Sequence, residues 1–148
     1  MDSPVGGLRI HTSAGLLTAI EFDAEPKGRF DNDPLLNRIE VQLNEYFAKE
    51  RTDFDLPLAQ DGTEFQVKVW NQLRKIPYGQ TMSYSDMARK LGYDAGISRA
   101  VGVANGANPI PIVVPCHRVV GADGTLTGYS GGIERKQALL TLENPGLF

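Results

Sequence analysis

The sequence contains a single cysteine, Cys116, among its 148 residues. One thiol cannot form an internal disulfide, and it cannot supply a cysteine-rich metal site. Cys116 is therefore either a small buried hydrophobe or a reactive sulfur. A lone cysteine beside an apolar run, here residues 112–114, is more often an inert core residue, so the neighbouring residues have to decide between the two.

Long apolar runs and an excess of positive charge are also absent. No segment reaches membrane-spanning length, and the N-terminus lacks a basic segment followed by an apolar one, so we expect an intracellular protein without membrane contact. The net charge of −3 by itself argues against nucleic acid as a partner. However, residues 1–60 carry 6 basic and 11 acidic residues (−5), whereas residues 61–148 carry 9 and 7 (+2). The mildly basic half allows one face to approach phosphates, although so small an excess is also ordinary surface variation.

His117 and Arg118 directly follow the cysteine, in a stretch that reads as the end of a buried strand. Burying such groups costs free energy unless they have partners or a task. Because a nearby base or positive charge lowers the pKa of a thiol, the pattern favours a reactive sulfur. In an extended backbone Cys116 and His117 point to opposite sides, so a bridging water would relay the proton. Glu143, which opposes the dipole at the end of the last predicted helix, is a candidate for orienting the imidazole.

The N-terminal part, residues 1–56, is predicted to form a small α/β domain. Residues 8–11 and 16–22 are β-prone runs separated by a turn sequence, which predicts a hairpin. Residues 24–32 are polar and predict a loop. Asp33 then caps an amphipathic helix that has a proline at its first position.

The C-terminal part, residues 57–148, is predicted to be mainly helical. A capping-box pattern at Thr63 opens one helix, Ser83 opens a second, and Ser98 caps a third. Two short helices joined by a tight turn suggest a helix-turn-helix, winged-helix-like arrangement. The last helix is predicted over residues 133–143.

Two segments are poor in bulky side chains. Arg99 is the only charged residue of the third helix, whose other surface positions include Ala100 and Gly102. A thin helix can approach another backbone closely, either a neighbouring helix or a duplex groove. The glycine-rich segment 128–132 is either a flexible connector or a loop whose backbone N–H groups lie against a flat ligand.

These features occur together in a specific order. The short signatures are Phe65-Gln66, Val69-Trp70, Ile76-Pro77-Tyr78-Gly79, Ser83-Tyr84, Arg99-Ala100-Val101-Gly102, Asn108-Pro109, Pro115-Cys116-His117-Arg118-Val119, Gly128-Tyr129-Ser130-Gly131-Gly132, and Leu139-Leu140 with Glu143. In order and spacing they resemble the O6-alkylguanine-DNA alkyltransferases. The resemblance is dense over residues 63–143. In residues 1–60 it rests on residues 2–6 and the hairpin.

The resemblance implies direct-reversal DNA repair. The protein would transfer the alkyl group of O6-alkylguanine irreversibly to its own cysteine, once per molecule, after flipping the damaged nucleotide; O4-alkylthymine stays open as a second substrate. The implied catalytic residues are Cys116 as acceptor, His117 as a base acting through water, Glu143 as its orienter, Asn108 as a partner in that network, and Tyr84, which helps rotate the nucleotide and protonates the leaving guanine. The implied DNA-binding residues are Ser98, Ala100, Gly102 and Arg118, Arg99 as the finger that fills the vacated stack, and Tyr129 and Ser130 of the loop that covers the base.

The expected partner is double-stranded DNA containing the lesion, bound by a monomer in the cytoplasm, or in the nucleus of a eukaryote. No cofactor is expected. Some relatives carry a zinc site of cysteines and histidines, which this chain cannot build with one cysteine, so no metal is expected either. Residues 93–97 depart from the proline-containing turn common in the family.

Two other classes of protein share part of the pattern. A helix-turn-helix DNA-binding protein with a structural cysteine would explain the basic half and the thin helix. It would give no reason for His117, Glu143 and the glycine-rich loop to accompany the thiol. A cysteine hydrolase would share Cys116 and His117 but not the features that face DNA.

Overall fold

The computed structural model describes residues 1–23, 33–129 and 131–146. The predicted loop over residues 24–32 and the residue Ser130 lie outside that part of the chain. The fold mixes α-helices with short strands, as predicted, and the chain divides into two compact units, Met1–Ala59 and Gln60–Phe148. None of the helices in the described residues is both long and apolar enough to cross a membrane.

The first unit begins with the predicted hairpin, which is confirmed. Strand β1 (Leu8–Ser13) pairs antiparallel with β2 (Leu16–Phe22), and β1 ends at Ser13 rather than at His11. The turn between the strands consists of Ala14 and Gly15, both with positive φ, 51° and 77°. Positive φ at both turn residues matches the twist of the flanking strands, and it is strained only for the alanine.

Helix α1 (Pro34–Phe47) supplies the rest of the core of the first unit. The Asp33 side chain caps the helix by accepting a hydrogen bond of 2.9 Å from the N–H of Leu35, so the predicted cap is confirmed. Ile39 and Leu43 recur at helical spacing and are fully buried. This stripe gives the helix its stability, because an isolated helix of this length is marginal in water.

The second unit opens with two capped helices. Helix α2 (Glu64–Leu73) starts at the predicted capping box, in which the N–H of Gln66 donates to Thr63 and the Gln66 side chain accepts from the N–H of Thr63. Strand β3 (Met82–Ser83) leads directly into helix α3 (Tyr84–Lys90), and Ser83 caps α3 as predicted.

Helix α4 (Ser98–Gly106) is the predicted thin helix, but its predicted cap is wrong. Asp94 accepts a hydrogen bond of 2.8 Å from the N–H of Gly96 and starts a single 3₁₀ turn, Ala95–Ile97. That turn continues into α4, so Ser98 is a helical residue and no side chain caps α4. Residues 93–97, which lack the proline-containing turn common in the family, therefore include a 3₁₀ turn that leads into α4.

Residues 111–120, which we call the cysteine segment, do not form the extended strand end that we predicted from the apolar residues. Residues 111–114 form a turn, with a positive φ of 73° at Ile112, and Cys116–Arg118 form one 3₁₀ turn. Only strand β4 (Val119–Val120) is extended. The neighbouring prolines cannot donate to a sheet, and a side chain described below closes the turn instead.

Helix α5 (Ile133–Glu143) ends the unit with the predicted bounds. Its buried positions lie on one face at helical spacing: Lys136, Leu139, Leu140 and Glu143, the last of these in the final turn. The helix therefore places a carboxylate beside the cysteine segment.

Candidate active site

A short parallel ladder joins the two segments that carry the candidate catalytic residues. Strand β3 pairs with β4, so that Met82 lies opposite Val119 and Ser83 lies opposite Val120. Tyr84 follows β3 directly, and the turn with Cys116 directly precedes β4. The ladder therefore holds the start of α3 next to the thiol, although the two segments are distant in sequence.

The Cys116 thiol is buried, with 2% of the residue exposed. Burial raises its pKa to about 11, against a hydrogen bond from the Asn108 side chain and the charge of Lys136, which both lower it. The expectation that its neighbours would make this thiol acidic is therefore wrong, because desolvation outweighs them. At neutral pH the group is a thiol, and a base has to remove its proton before it can act as a nucleophile.

His117 is placed to be that base. Its Nε2 lies 2.7 Å from Oε2 of Glu143, and both side chains are fully buried. Among the residues that the structure describes, none offers a hydrogen-bond partner to Nδ1. Because a carboxylate accepts, the proton resides on Nε2, and Nδ1 keeps its lone pair. Burial lowers the pKa of His117 and outweighs the carboxylate that raises it, so the imidazole is neutral.

Glu143 is the centre of a wider hydrogen-bond network. The Arg118 guanidinium donates from Nε to Oε1 at 2.8 Å and from Nη2 to Oε2 at 3.0 Å, and its Nη1 donates to the carbonyl of Ile76 at 2.7 Å. The N–H of Gly79 donates to Oε1 at 3.3 Å. Burial opposes ionisation of Glu143, but the hydrogen bonds from His117 and Arg118 and the charge of the guanidinium hold its pKa well below the ordinary value.

This network revises the prediction that Arg118 contacts DNA. The residue is 6% exposed, and its guanidinium donates to buried acceptors on two sides. A guanidinium held in that way cannot also reach a phosphate without breaking charge-assisted hydrogen bonds. The positive charge of Arg118 is therefore paired with a buried carboxylate inside the protein.

Asn108 shapes the loop that precedes the thiol. Its Nδ2 donates to the carbonyl of Val114 at 2.8 Å, and its Oδ1 accepts from the N–H of Ile110 at 3.0 Å. The same side chain interacts with the Cys116 thiol and lowers its pKa. The structure thus brings Asn108 and the thiol together, and the asparagine closes the turn that replaces the expected strand.

Tyr84 lies close enough to the thiol to interact with it electrostatically. Its hydroxyl donates to the carbonyl of Thr127 at 3.1 Å, and burial raises its pKa, so the phenol keeps its proton. Two glycines lie against it: a Cβ added at Gly102 would make an ordinary contact 3.7 Å from its ring, and one at Gly128 would lie 3.5 Å from its hydroxyl. The phenol is held by the carbonyl of Thr127 and also interacts with the Asn105 side chain.

Two buried polar residues at this site were missed from the sequence. Lys136 is fully buried, donates to the carbonyl of Thr127 at 2.8 Å, and has a pKa that burial lowers to about 8. Asn105 is 1% exposed and donates to the carbonyl of Cys116 at 3.2 Å. Helical spacing is the signal that would have found them: Lys136 is seven residues before Glu143 on α5, and Asn105 is three before Asn108.

The predicted DNA-binding residues of α4 lie on its outer side. Arg99 and Ala100 are exposed, and Ser98 and Gly102 are partly exposed. Val103, four residues after Arg99 on the same face, is 69% exposed and was missed because it is apolar. In the loop, Tyr129 is buried, and Ser130, which the resemblance assigns to the same base-covering loop, is outside the described residues.

Together these groups form what we call the cysteine site: Tyr84, Asn108, Cys116, His117 and Glu143. The site combines a nucleophile, a neutral base, an ionised carboxylate and a protonated phenol. Such a set suits transfer of a carbon group from an oxygen leaving group to sulfur. In the described ranges of the chain, no group of three or more histidine, cysteine, aspartate and glutamate side chains is arranged to hold a metal ion.

Two protein-family models match the chain. The model described as 6-O-methylguanine DNA methyltransferase, DNA binding domain, matches residues 64–145. The model described as 6-O-methylguanine DNA methyltransferase, ribonuclease-like domain, matches residues 1–60.

Curated relatives and solved structures agree with these matches. The methylated-DNA–protein-cysteine methyltransferase of Mycobacterium bovis is 50% identical over 148 residues, covering 97% of this chain and 89% of the relative. The inducible enzyme of that name from Bacillus subtilis is 50% identical over 113 residues, covering 76% and 63%. Among solved structures, Mycobacterium tuberculosis OGT in complex with DNA is similar with a TM-score of 0.88 and 49% identity, covering 98% of this chain and 91% of that one.

Proposed function

The chain belongs to the 6-O-methylguanine DNA methyltransferase family, and from this premise we propose how its own residues carry out the reaction. It performs direct-reversal repair: the alkyl group on O6 of guanine in DNA is transferred irreversibly to a cysteine of the protein. The observation that carries the proposal is that the sequence has one cysteine, and that this cysteine lies buried beside a neutral histidine.

The transfer itself is a substitution at carbon. Sγ of Cys116, as a thiolate, attacks the alkyl carbon; the carbon–sulfur bond forms, the carbon–O6 bond breaks, and the electron pair stays with the guanine. No atom is oxidised or reduced, so the step needs no cofactor. The thioether has no easy route back to the thiol, and each molecule therefore acts once.

The thiol proton has to leave before or during the attack, since the pKa of Cys116 is about 11. We assign its acceptor as Nδ1 of His117, reached through a water molecule, as the resemblance implies. Glu143 holds the opposite ring nitrogen at 2.7 Å and stabilises the imidazolium that forms. This gives the carboxylate the role of orienter that the sequence suggested.

Tyr84 supplies the second proton. Its phenol is protonated at neutral pH and can turn from the carbonyl of Thr127 toward the leaving guanine, offsetting the charge that develops there. Lys136 donates to the same carbonyl and keeps it satisfied when the phenol turns away. Asn108 holds the thiol in its turn and so positions the attacking sulfur.

The alkyl group cannot be reached inside the base stack, so the nucleotide must be turned out, at a cost of about a few kcal/mol. We propose that α3, the 3₁₀ turn and α4 act as the helix-turn-helix and that α4 enters the minor groove. Arg99 then fills the space left by the flipped base, and Tyr129 and Ser130 cover that base. The relative from Mycobacterium tuberculosis crystallised with DNA supports the binding of DNA on which this assignment rests.

We further propose that residues 57–148 form the DNA-binding and acceptor domain, and residues 1–56 the accompanying α/β domain. The protein would act as a monomer on double-stranded DNA in the cytoplasm. Its match to family models over both parts of the chain supports this organisation.

The test is to incubate the protein with a duplex that contains O6-methylguanine and then to weigh the protein by mass spectrometry. We expect one added methyl group per molecule, located on the peptide of Cys116, and none with the undamaged duplex. The Cys116→Ser variant is the matched control: it should gain no methyl group while binding the damaged duplex nearly as tightly as the wild type. Methyl transfer to that variant would show a different acceptor, and DNA binding without any transfer would favour the helix-turn-helix alternative.

A further inference from the structure

Arg118 takes no part in the alkyl transfer described above, yet it is bonded directly to the residue that orients the base. Its guanidinium meets both oxygens of Glu143, at 2.8 and 3.0 Å. Oε2 of that carboxylate also accepts from His117 at 2.7 Å. The arginine and the histidine therefore share one buried anion.

The charges of these three residues act, together with burial, on the protonation state of the histidine. All three side chains are at most 7% exposed, so their charges are poorly screened by water. The carboxylate contributes −1 and the guanidinium +1, which leaves the group neutral only when His117 is neutral. A bidentate arginine is the strongest partner available to a carboxylate, and it cannot give up its charge.

Without the guanidinium, the balance would change. A buried carboxylate hydrogen-bonded to an imidazole would keep a net charge of −1, and protonation of His117 would neutralise it. An imidazolium has no lone pair at Nδ1, so it could not accept the proton of Cys116. The site would then hold the right residues in an inactive protonation state.

We propose that Arg118 is a positioning residue that keeps His117 neutral, with its proton on Nε2, by balancing the charge of Glu143. This inference rests on the proposed function, in which His117 must accept a proton. It gives the arginine of the cysteine segment a reason to be buried, which the expectation of DNA contact does not.

The other groups that face His117 do not replace the guanidinium. Lys136 of α5 also lowers the pKa of His117, but it is hydrogen-bonded to Thr127 and has a pKa of about 8 itself. Cys116 is uncharged at neutral pH, since its own pKa is about 11. Tyr78 lies with its ring 5.8 Å from the Arg118 guanidinium and carries no charge, because burial and Glu143 raise its pKa. Arg118, by contrast, is permanently charged and contacts the carboxylate directly.

The first test needs no DNA and no alkyl transfer. The chain has two histidines, so the His11→Gln substitution leaves His117 as the one observed by ¹⁵N NMR of the imidazole ring. We expect the His11→Gln protein, which is the background for the other variants, to show neutral His117 with its proton on Nε2 at pH 7. Arg118→Met should raise the pH at which His117 becomes protonated, whereas Arg118→Lys, which keeps the positive charge, should raise it much less. A cationic His117 in the background protein, or equal titration in the Met and Lys variants, would overturn the inference.

The second test uses the rate of methyl transfer as a function of pH. In Arg118→Met the acid limb of the rate–pH profile should move to higher pH, with a loss at pH 7 of about tenfold for each pH unit by which the limb then lies above pH 7, and with recovery at pH values above that limb. An equal loss at every pH would mean that Arg118 only supports the fold, and would overturn the proposal. Wild-type protein without transfer activity, but with the expected NMR result, would count against the proposed function and not against the charge balance.

The Met variant leaves a buried carboxylate without its partner and so is at risk of unfolding. The double variant Arg118→Met with Glu143→Gln removes both charges, and we expect it to fold and to show neutral His117. Failure of both variants to fold would mean that Arg118 serves the fold and not the charge balance, and a cationic His117 in the double variant would separate the protonation of His117 from the charge of Glu143. Either result would overturn the proposal.

Discussion

At the scale of the residue, burial acts in opposite directions on the pKa values of the two groups that we propose exchange a proton. It raises the pKa of Cys116 to about 11 and lowers that of His117. The resting pair is therefore a neutral thiol and a neutral imidazole, which can remain in a dry site without uncompensated charge. Reactivity then has to be created by proton transfer during the reaction.

Replacement of the buried Lys136 should affect the stability and the activity of the protein differently. We predict that Lys136→Met leaves the melting temperature unchanged or raises it, because a fully buried ammonium bonded to one carbonyl is costly. The same change should slow methyl transfer at pH 7 by about tenfold, since the lysine charge lowers the Cys116 pKa.

Thermal melting and single-turnover methyl transfer, measured on the same preparation of this variant, check both parts. Lys136→Arg is the matched control, because it keeps the charge and should lose less activity. Normal transfer in the Met variant would contradict the assigned electrostatic role.

At the scale of the element, α4 separates its functions by face. Its inner positions Val101 and Ala104 are buried, and the carbonyl of Ala104 accepts a hydrogen bond of 2.9 Å from the Trp70 indole of α2. Its outer positions carry one charge, at Arg99, and one large apolar side chain, at Val103. Because the inner face of α4 is packed against the protein, its outer face can enter a groove without bending of the helix.

We predict that Arg99→Ala weakens binding to damaged duplex DNA and slows its repair more than it slows reaction with free O6-methylguanine. The proposed task of the arginine is to occupy the vacated stack, which the free base does not have. Parallel rate measurements on the two substrates check this, with Arg89→Ala on α3, also exposed, as the control for loss of one positive charge. Equal losses on both substrates would place Arg99 in the chemistry or in the fold.

At the scale of the whole molecule, the cysteine site contributes to stability as well as to chemistry. Alkylation adds atoms to a buried residue between Val114 and Val119, which are 2% and 0% exposed. Overfilling a dense interior costs about 1–3 kcal/mol, which is a sizeable part of the stability of a small domain. We predict that the stoichiometrically methylated protein melts at a lower temperature than the untreated one and binds DNA more weakly.

Thermal melting in one buffer without DNA checks this prediction, with protein treated with undamaged duplex as the control. An unchanged or raised melting temperature would mean that the site has room for the alkyl group. Release of the repaired DNA would then need another cause.

The stability of the protein should also fall on the acid side of neutrality. His117 has a lowered pKa in the folded protein, so its stabilising contribution is complete above its ordinary value of 6.5 and is lost as the pH falls below it. Glu143, also with a lowered pKa, contributes fully above its ordinary value of 4.5 and loses this contribution at lower pH. We predict a melting temperature that declines from pH 7 to pH 5, with a stability slope of up to about 1.4 kcal/mol per pH unit for one proton.

The variant His117→Gln should show a smaller decline over this range, and His11→Gln in β1 controls for the removal of a histidine. A decline of the same size in His117→Gln would mean that other groups set the acid sensitivity. Melting curves at half-unit pH intervals suffice for the comparison.

The local elements of this protein were determined by residues close together in sequence. The cap at Asp33, the capping box at Thr63 and the helix over residues 133–143 depend on contacts within a few positions, and all three are confirmed. The same kind of periodicity contains the signal for Lys136, which shares a face with Glu143 but was passed over because lysine is rarely buried. The lone cysteine and its basic neighbours were also visible at this level.

The protonation and orientation of the site were decided only by the tertiary structure. Arg118 donates to Glu143, 25 residues further along the chain, and to Ile76, 42 residues earlier, and these partners turn it inward instead of toward DNA. The pairing of β3 with β4 sets Tyr84 near the thiol, and Asn108 bends the cysteine segment into a turn where its composition suggested a strand. Burial and charge pairing depend on residues brought together from distant parts of the chain, so no pattern of neighbours along the sequence could have specified them.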